Sequence, residues 1–159
     1  RARGFTGFES IRQLRESRLA SVPRVIGVYL VLRVARSPVE FVATSTGGHF
    51  KGRDPTVSRS ELQDNWIDGA LIVYIGKAGD QDGGDATLRS RLKQFLDFGA
   101  GRKVGHWGGR LTWQIAGTED LVICWMPTPD RVPREVEVEL IEEFMDRHSG
   151  RRPFANLRD

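Results

Sequence analysis

At 159 residues the chain has the length of one compact domain and is too short for two ordinary cores. Its 39% hydrophobic and 28% charged residues, with 18 glycines, exclude a disordered or low-complexity chain and predict a packed core rich in turns. The net charge of +3 is too small to announce a nucleic-acid partner by itself, and no apolar run approaches the roughly 18–20 residues that span a bilayer.

Residues 8–20 read as a short basic helix, with Phe8, Ile11, Leu14, Arg15 and Leu19 near helical spacing, inside a basic N-terminal segment 1–24. Residues 25–32 form a β-branched and aromatic run without breakers, the pattern of a buried strand, and residues 71–76 repeat it. Forty-four residues separate Tyr29 from Tyr74. They are rich in Gly, Ser, Thr and charge and read as an insertion, 34–70, between two parts of a core, 25–33 and 71–156. Within it 39–43 is a candidate strand and Ser60 to Trp66 a helical turn, because Ser60-Glu61-Leu62-Gln63 resembles a capping box.

A glycine and aspartate loop over 79–85 precedes an amphipathic helix in which Leu88, Leu92, Phe95 and Leu96 fall at i, i+4, i+7 and i+8. Gly99 and Gly101 stop it. After the loop Gly105-His106-Trp107-Gly108-Gly109, residues 111–116 alternate like a strand and 121–126 read as another. Pro127, Pro129 and Pro133 lead into a helix from about Arg134 to His148.

Charge is uneven: residues 1–36 hold eight arginines against Glu9 and Glu16, residues 101–115 hold Arg102, Lys103 and Arg110 without an acid, and 130–147 hold seven acids against three arginines. A basic face and an acidic helix are expected. The single cysteine, Cys124, lies in an apolar run, so a core role is expected, with neither an internal disulfide nor a cysteine zinc cluster. With no signal-like apolar stretch beside the arginines, the expected setting is the cytoplasm, away from membranes.

One carboxylate breaks the pattern of the last helix. Val136, Val138, Leu140, Ile141, Phe144 and Met145 spread over one broad apolar face at about 100° per residue, and Glu137 falls at its centre. Glu135, Glu139, Glu142, Glu143 and Asp146 gather opposite, as a solvated face. A buried carboxylate costs several kcal/mol, about 3–5, unless a cation, metal or hydrogen bonds meet it, so Glu137 needs a basic or metallic partner. An arginine ion pair that only closes the core would satisfy it too.

The chain reads Gly27-Val28-Tyr29, then Val73-Tyr74-Ile75-Gly76-Lys77-Ala78, then Leu88-Arg89-Ser90-Arg91-Leu92, then Glu137 followed by Leu140-Ile141, then Pro153-Phe154-Ala155-Asn156. In combination and in that order, from about Gly27 to Asn156, these five blocks resemble the GIY-YIG nuclease family. The resemblance implies an α/β, more closely α+β, domain whose small and mostly antiparallel sheet is flanked by helices. It also implies hydrolysis of phosphodiester bonds with one divalent metal, Mg²⁺ or in its place Mn²⁺.

By the same resemblance Tyr29 and Tyr74 match the active-site tyrosines, Arg91 the arginine on the scissile phosphate, Glu137 the metal ligand and Asn156 a late asparagine that orders the site. Gly27 and Gly76 are expected beside nucleic-acid backbone. These residue types suit the chemistry, because a phosphodiester displacement develops negative charge that a hard metal and a guanidinium stabilise. Tyrosine, with an ordinary pKa of about 10, needs a cation to favour phenolate, and Lys77 is either that cation or an exposed turn residue. Arg89 and Lys93 are expected to track phosphates beside Arg91, although periodicity alone does not separate Arg89 from Arg91.

The sequence departs from the family in two places: the 44-residue separation, where many members have a short connection, and Phe95, where His or Tyr is frequent. His106 in its glycine loop is the candidate replacement. Trp107 and Trp113 are core residues or stacking platforms. Lys51 and Arg53, in the run 47–53, and the N-terminal arginines are expected to touch phosphates, with glycines letting the backbone approach. The expected partner is nucleic acid, DNA before RNA, bound by a monomer or homodimer with room for a separate specificity partner. A non-catalytic nucleic-acid-binding module is the rival reading.

Overall fold

The computed structural model describes residues 4–79 and 85–157. Among these, four strands and four α-helices make an α+β fold: β1 (Thr6–Ser10), α1 (Ile11–Glu16), β2 (Gly27–Leu32), α2 (Arg59–Asn65), β3 (Ile72–Ala78), α3 (Leu88–Gly99), β4 (Val122–Pro127) and α4 (Pro133–Arg147). The strands form one antiparallel sheet in the order β1-β4-β2-β3. No helix among the described residues is long and apolar enough to cross a membrane. Arg1, Arg3 and residues 80–84 of the predicted glycine and aspartate loop lie outside the described residues.

The unbroken apolar run of β2 belongs to a strand with neighbours on both sides, and all six of its residues are buried. Side chains alternate across the sheet. Tyr29, Val31, Tyr74 and Ala78 join a cluster with Ile11 and Leu14 of α1 and with Leu88, Leu92 and Phe95 of α3. Val28, Leu30, Leu32, Ile75 and Cys124 pack instead with Val136 and Ile141 of α4. Cys124 is a buried core residue, and burial pushes its thiol up to about 11.

Several expected elements take other forms. The predicted helix 8–20 is a strand followed by a helix of six residues: the Ser10 hydroxyl accepts from the Gln13 amide and Oε1 of Gln13 accepts from the Ser10 amide, so the cap sets the helix start at Ile11, three residues after Phe8. The predicted strand 111–116 is a 3-10 helix, Arg110–Gln114. Leu111, Thr112, Trp113 and Gln114 are all buried, so alternation there records composition and not one wet face. The helix expected from Ser60 is capped by Ser58, which accepts from the Glu61 amide. Val138, placed on the apolar face, is 37% exposed.

The insertion is built into the core. Phe41 and Leu62 are buried, and residues 39–43 contribute a single bridge, Phe41 to Ile115, in place of the predicted strand. Buried Gln114 donates to the carbonyls of Val42 and Val57 and accepts from the Val57 amide, tying both arms of the insertion to the 3-10 helix. A hairpin turn at 50–53 pairs Phe50 with Arg53 across Lys51 and Gly52, both at positive φ.

Candidate active site

The site is assembled at the outer edge of β3. There the chain after α4 returns and pairs with the strand: the Ala155 amide donates to the Val73 carbonyl at 2.8 Å. Asn156 continues the pairing with its side chain. Its Oδ1 accepts from the Ile75 amide at 2.8 Å and its Nδ2 donates to the Ile75 carbonyl at 2.9 Å, so one carboxamide imitates a neighbouring strand. Asn156 thereby fastens the returning chain to β3.

Tyr29 and Tyr74 lie on the same face of the sheet with ring centroids 6.0 Å apart. Phe95 stacks on Tyr74 at 5.8 Å and tilts against Tyr29 at 6.0 Å. Against Phe95, at 5.2 Å, sits His106. Its Nε2 is 3.2 Å from the Tyr29 hydroxyl and its Nδ1 is 2.9 Å from the Gly108 carbonyl. A carbonyl only accepts, so Nδ1 carries the proton of the neutral ring, Nε2 is the acceptor, and the Tyr29 hydroxyl donates to it. His106 is 1% exposed, and burial, reinforced by the charge of Arg91, pulls its pKa down to about 3.

Tyr29 is fully buried, and burial, with Tyr74 next, holds its phenol well above the ordinary tyrosine value against the pull of Arg91. Phenolate is therefore not its resting form. Lys77 pairs in register with Val28, so strand alternation turns it to the opposite face from Tyr74 and Gly76, and its charge acts on Glu137. Gly76 has its own reason. A Cβ there would lie 2.3 Å from Cζ of Tyr29 and 2.5 Å from its hydroxyl, so the space expected for a nucleic-acid backbone is filled by Tyr29. Gly27 likewise makes room for β4, where a Cβ would lie 2.4 Å from the Met126 carbonyl oxygen.

Tyr74 faces outward into a cleft of about 480 Å³, shared with Gly108, Gly109, Glu137 and Asn156. Gly109, at φ 80°, lies against the Tyr74 ring, where a Cβ would approach to 2.9 Å. The Glu137 side chain is 12% exposed and 3.4 Å from Nη1 of Arg134. Burial raises its pKa, opposed by Lys77, Arg134, Arg152 and Arg91 in that order. The expected basic partner in contact is Arg134. Glu142, placed by periodicity on the solvated side, lines the rim of the same cleft.

The two candidate arginines of α3 separate clearly. Arg89 donates through Nε to the Val22 carbonyl at 2.7 Å and through Nη2 to the Ala20 carbonyl at 3.1 Å, tying α3 to the segment before β2. Arg91 donates to Gln94 at 2.8 Å, and its charge reaches Tyr29, His106 and Glu137. Lys93 is engaged by Asp97 at 2.6 Å. Lys51 and Arg53 lie outside this cleft, on the 50–53 hairpin, and Gly47 and Gly48 pack against Phe98 and the Arg102 carbonyl, with no room left for a ligand backbone.

Arg110, Arg134 and Arg152, which the motifs do not mark, all line the cleft. Two had a local signal: Arg134 stands three residues before Glu137, and Arg152, whose Nε donates to the Asn156 carbonyl at 2.9 Å, precedes the Pro153-to-Asn156 block. Among the described residues no cluster of three or more His, Cys, Asp or Glu could cage a metal. One carboxylate in an open cleft does fit a hard cation that keeps most of its waters. No protein-family model, curated protein or solved structure matches the chain.

Proposed function

We propose that this chain is a metal-dependent endonuclease that hydrolyses phosphodiester bonds in DNA by a one-metal mechanism like that of the GIY-YIG nucleases it resembles. The observation that carries the reading is the path from the cleft to a neutral base: Tyr74 at the cleft wall, Tyr29 behind it, and Nε2 of His106 accepting the Tyr29 proton at 3.2 Å. The fold adds support, since the two tyrosine strands are paired neighbours and α3 brings Arg91 to them.

Because the His106 tautomer makes Tyr29 a donor, the lone pairs of the Tyr29 oxygen are available to a hydroxyl such as that of Tyr74, whose ring lies edge-on with its centroid 6.0 Å away. The Tyr74 oxygen then accepts a proton from water in the cleft as the relay moves one proton to Tyr29 and one to His106. Tyr29 does not become a free phenolate, because burial holds its phenol well above the ordinary value. An arriving phosphate neutralises Arg91, one of the two causes that hold His106 neutral, so substrate makes the imidazole a better base. Arg91, Arg110, Arg134 and Arg152 hold the phosphates and the charge that develops on them. Glu137 would hold Mg²⁺, which when bound supplies Lewis-acid stabilisation of the phosphoryl oxygens and of the leaving oxygen.

The second reading is a nucleic-acid-binding module without cleavage, and one observation favours it: the Arg134 to Glu137 contact satisfies the carboxylate without a metal. Incubation with supercoiled plasmid separates the two. Relaxed and linear DNA should accumulate with Mg²⁺, vanish in EDTA and be absent in Glu137→Ala. Plasmid that stays supercoiled with the wild-type protein and Mg²⁺ would overturn the nuclease reading.

A further inference from the structure

Beside the cleft lies a second recess of about 420 Å³, walled by His49, Phe50, Lys51 and Gly52 of the insertion and by Lys103, Val104 and Gly105 of the loop that carries His106. Trp107, on the same loop, touches residues from both sides. The guanidinium carbon of Arg53, from the insertion, and that of Arg110, from the cleft, both lie 4.7 Å from the Trp107 ring centroid. Lys51 sits 5.3 Å over Phe50, whose ring is 6.1 Å from Trp107. Aromatic faces thus hold cations of two separate chain segments in place.

Among the described residues, no carboxylate pairs with the cations of the hairpin or with Lys103. Asp54 lies 3.9 Å from His49 and Asp97 takes Lys93 and Arg102, so among the described residues Lys51, Arg53 and Lys103 have no carboxylate partner. Two guanidinium carbons each 4.7 Å from one ring centre lie no more than about 9.4 Å apart, within reach of one chain of closely spaced anions. The row of cations continues inward to Arg110, Arg134 and Arg152 in the cleft.

We infer that the 50–53 hairpin and the 103–110 loop form a track for the sugar-phosphate backbone of DNA, leading out of the Glu137 cleft through Arg110, over Trp107 to Arg53, Lys51 and Lys103. The track reads no sequence, because it offers charge to phosphates and no donor or acceptor pattern to base edges. The insertion thereby serves binding as well as packing. Its glycines and Gln114 contacts fasten it to the core, and its hairpin carries the cations to the site. This inference rests on the nuclease reading for the ligand class, and its test does not depend on cleavage.

Binding of a fluorescein-labelled 20-base-pair DNA duplex is followed by anisotropy in EDTA between 50 and 200 mM NaCl, for the wild type, Lys51→Ala/Arg53→Ala and a charge-matched control, Arg131→Ala/Arg147→Ala. The hairpin double variant should lower the slope of log K against log salt by about 1.8, so that this fourfold rise in salt weakens it about 12-fold less than the wild type. The control should keep the wild-type slope. A hairpin variant with an unchanged slope, or the same reduction in both double variants, would overturn the track while leaving plasmid cleavage by the wild type to speak for the nuclease. A wild-type protein that fails to bind the duplex would overturn the track and count against a DNA substrate as well.

Discussion

His106 should make the protein acid-labile in a way that one substitution removes. Its pKa is about 3 in the fold and 6.5 as the ordinary value of an exposed histidine. The unfolded chain therefore binds a proton between those values while the native protein does not, so stability is complete above about pH 6.5 and falls as the pH drops toward 3. At about 1.4 kcal/mol per pKa unit, going from pH 7 to pH 5 costs about 2 kcal/mol through this one residue. For a chain of this length that is a fall in Tm of about 4–8 °C. His106→Gln stays neutral throughout, and the constant cost of its altered packing cancels when each protein is compared with itself at the two pH values. Urea unfolding at pH 7 and pH 5 should show the wild type losing about 2 kcal/mol more than the variant. Parallel pH dependence in the two proteins would refute a buried neutral imidazole, and with it the relay through Tyr29. In the plasmid assay at pH 7, the same variant should lose most of its activity.

Glu137→Gln should abolish cleavage yet melt at or above the wild-type temperature at pH 7, since it removes a carboxylate whose raised pKa records a cost of burying the charge; Glu139→Ala, at an exposed position of α4 where the carboxylate pairs with Arg131, should leave activity unchanged in the same assay. Arg91→Ala should lose at least about 100-fold in kcat, and Arg91→Lys should be impaired too, because a point charge does not replace a planar fork. Arg89→Ala should instead cost about 1.5–3 kcal/mol of stability in urea, from its two bonds to the Val22 and Ala20 carbonyls, with kcat near wild type. Asn156→Ala should lose about 2 kcal/mol and hasten hydrogen exchange at the Ile75 amide, which it leaves without a partner.

Most of the sheet was legible from sequence. Runs of β-branched residues mark β2, β3 and β4 because strands covered on both faces need apolar side chains on both, and 3.6-residue spacing marks α3 and α4 because each buries one stripe. Glu137 could be singled out because a carboxylate on an apolar face violates that spacing. The tyrosine blocks and Asn156 could be paired with a site only through resemblance, which carries order along the chain and no distances.

What the sequence could not decide was every choice that depends on which groups meet across the fold. Arg89 and Arg91 are equivalent by periodicity, and only the Val22 and Ala20 carbonyls waiting beside Arg89 commit it to structure. Lys77 adjoins the tyrosine block in sequence, yet strand alternation turns it to the other face. His106 stands 15 residues from Arg91 in a glycine loop without periodicity, and its tautomer, its neutrality and its bond to Tyr29 exist only because Phe95, Gly108 and the sheet enclose it. Local pattern records which side of an element is buried, whereas the state of a buried proton is set by atoms brought together from distant parts of the chain.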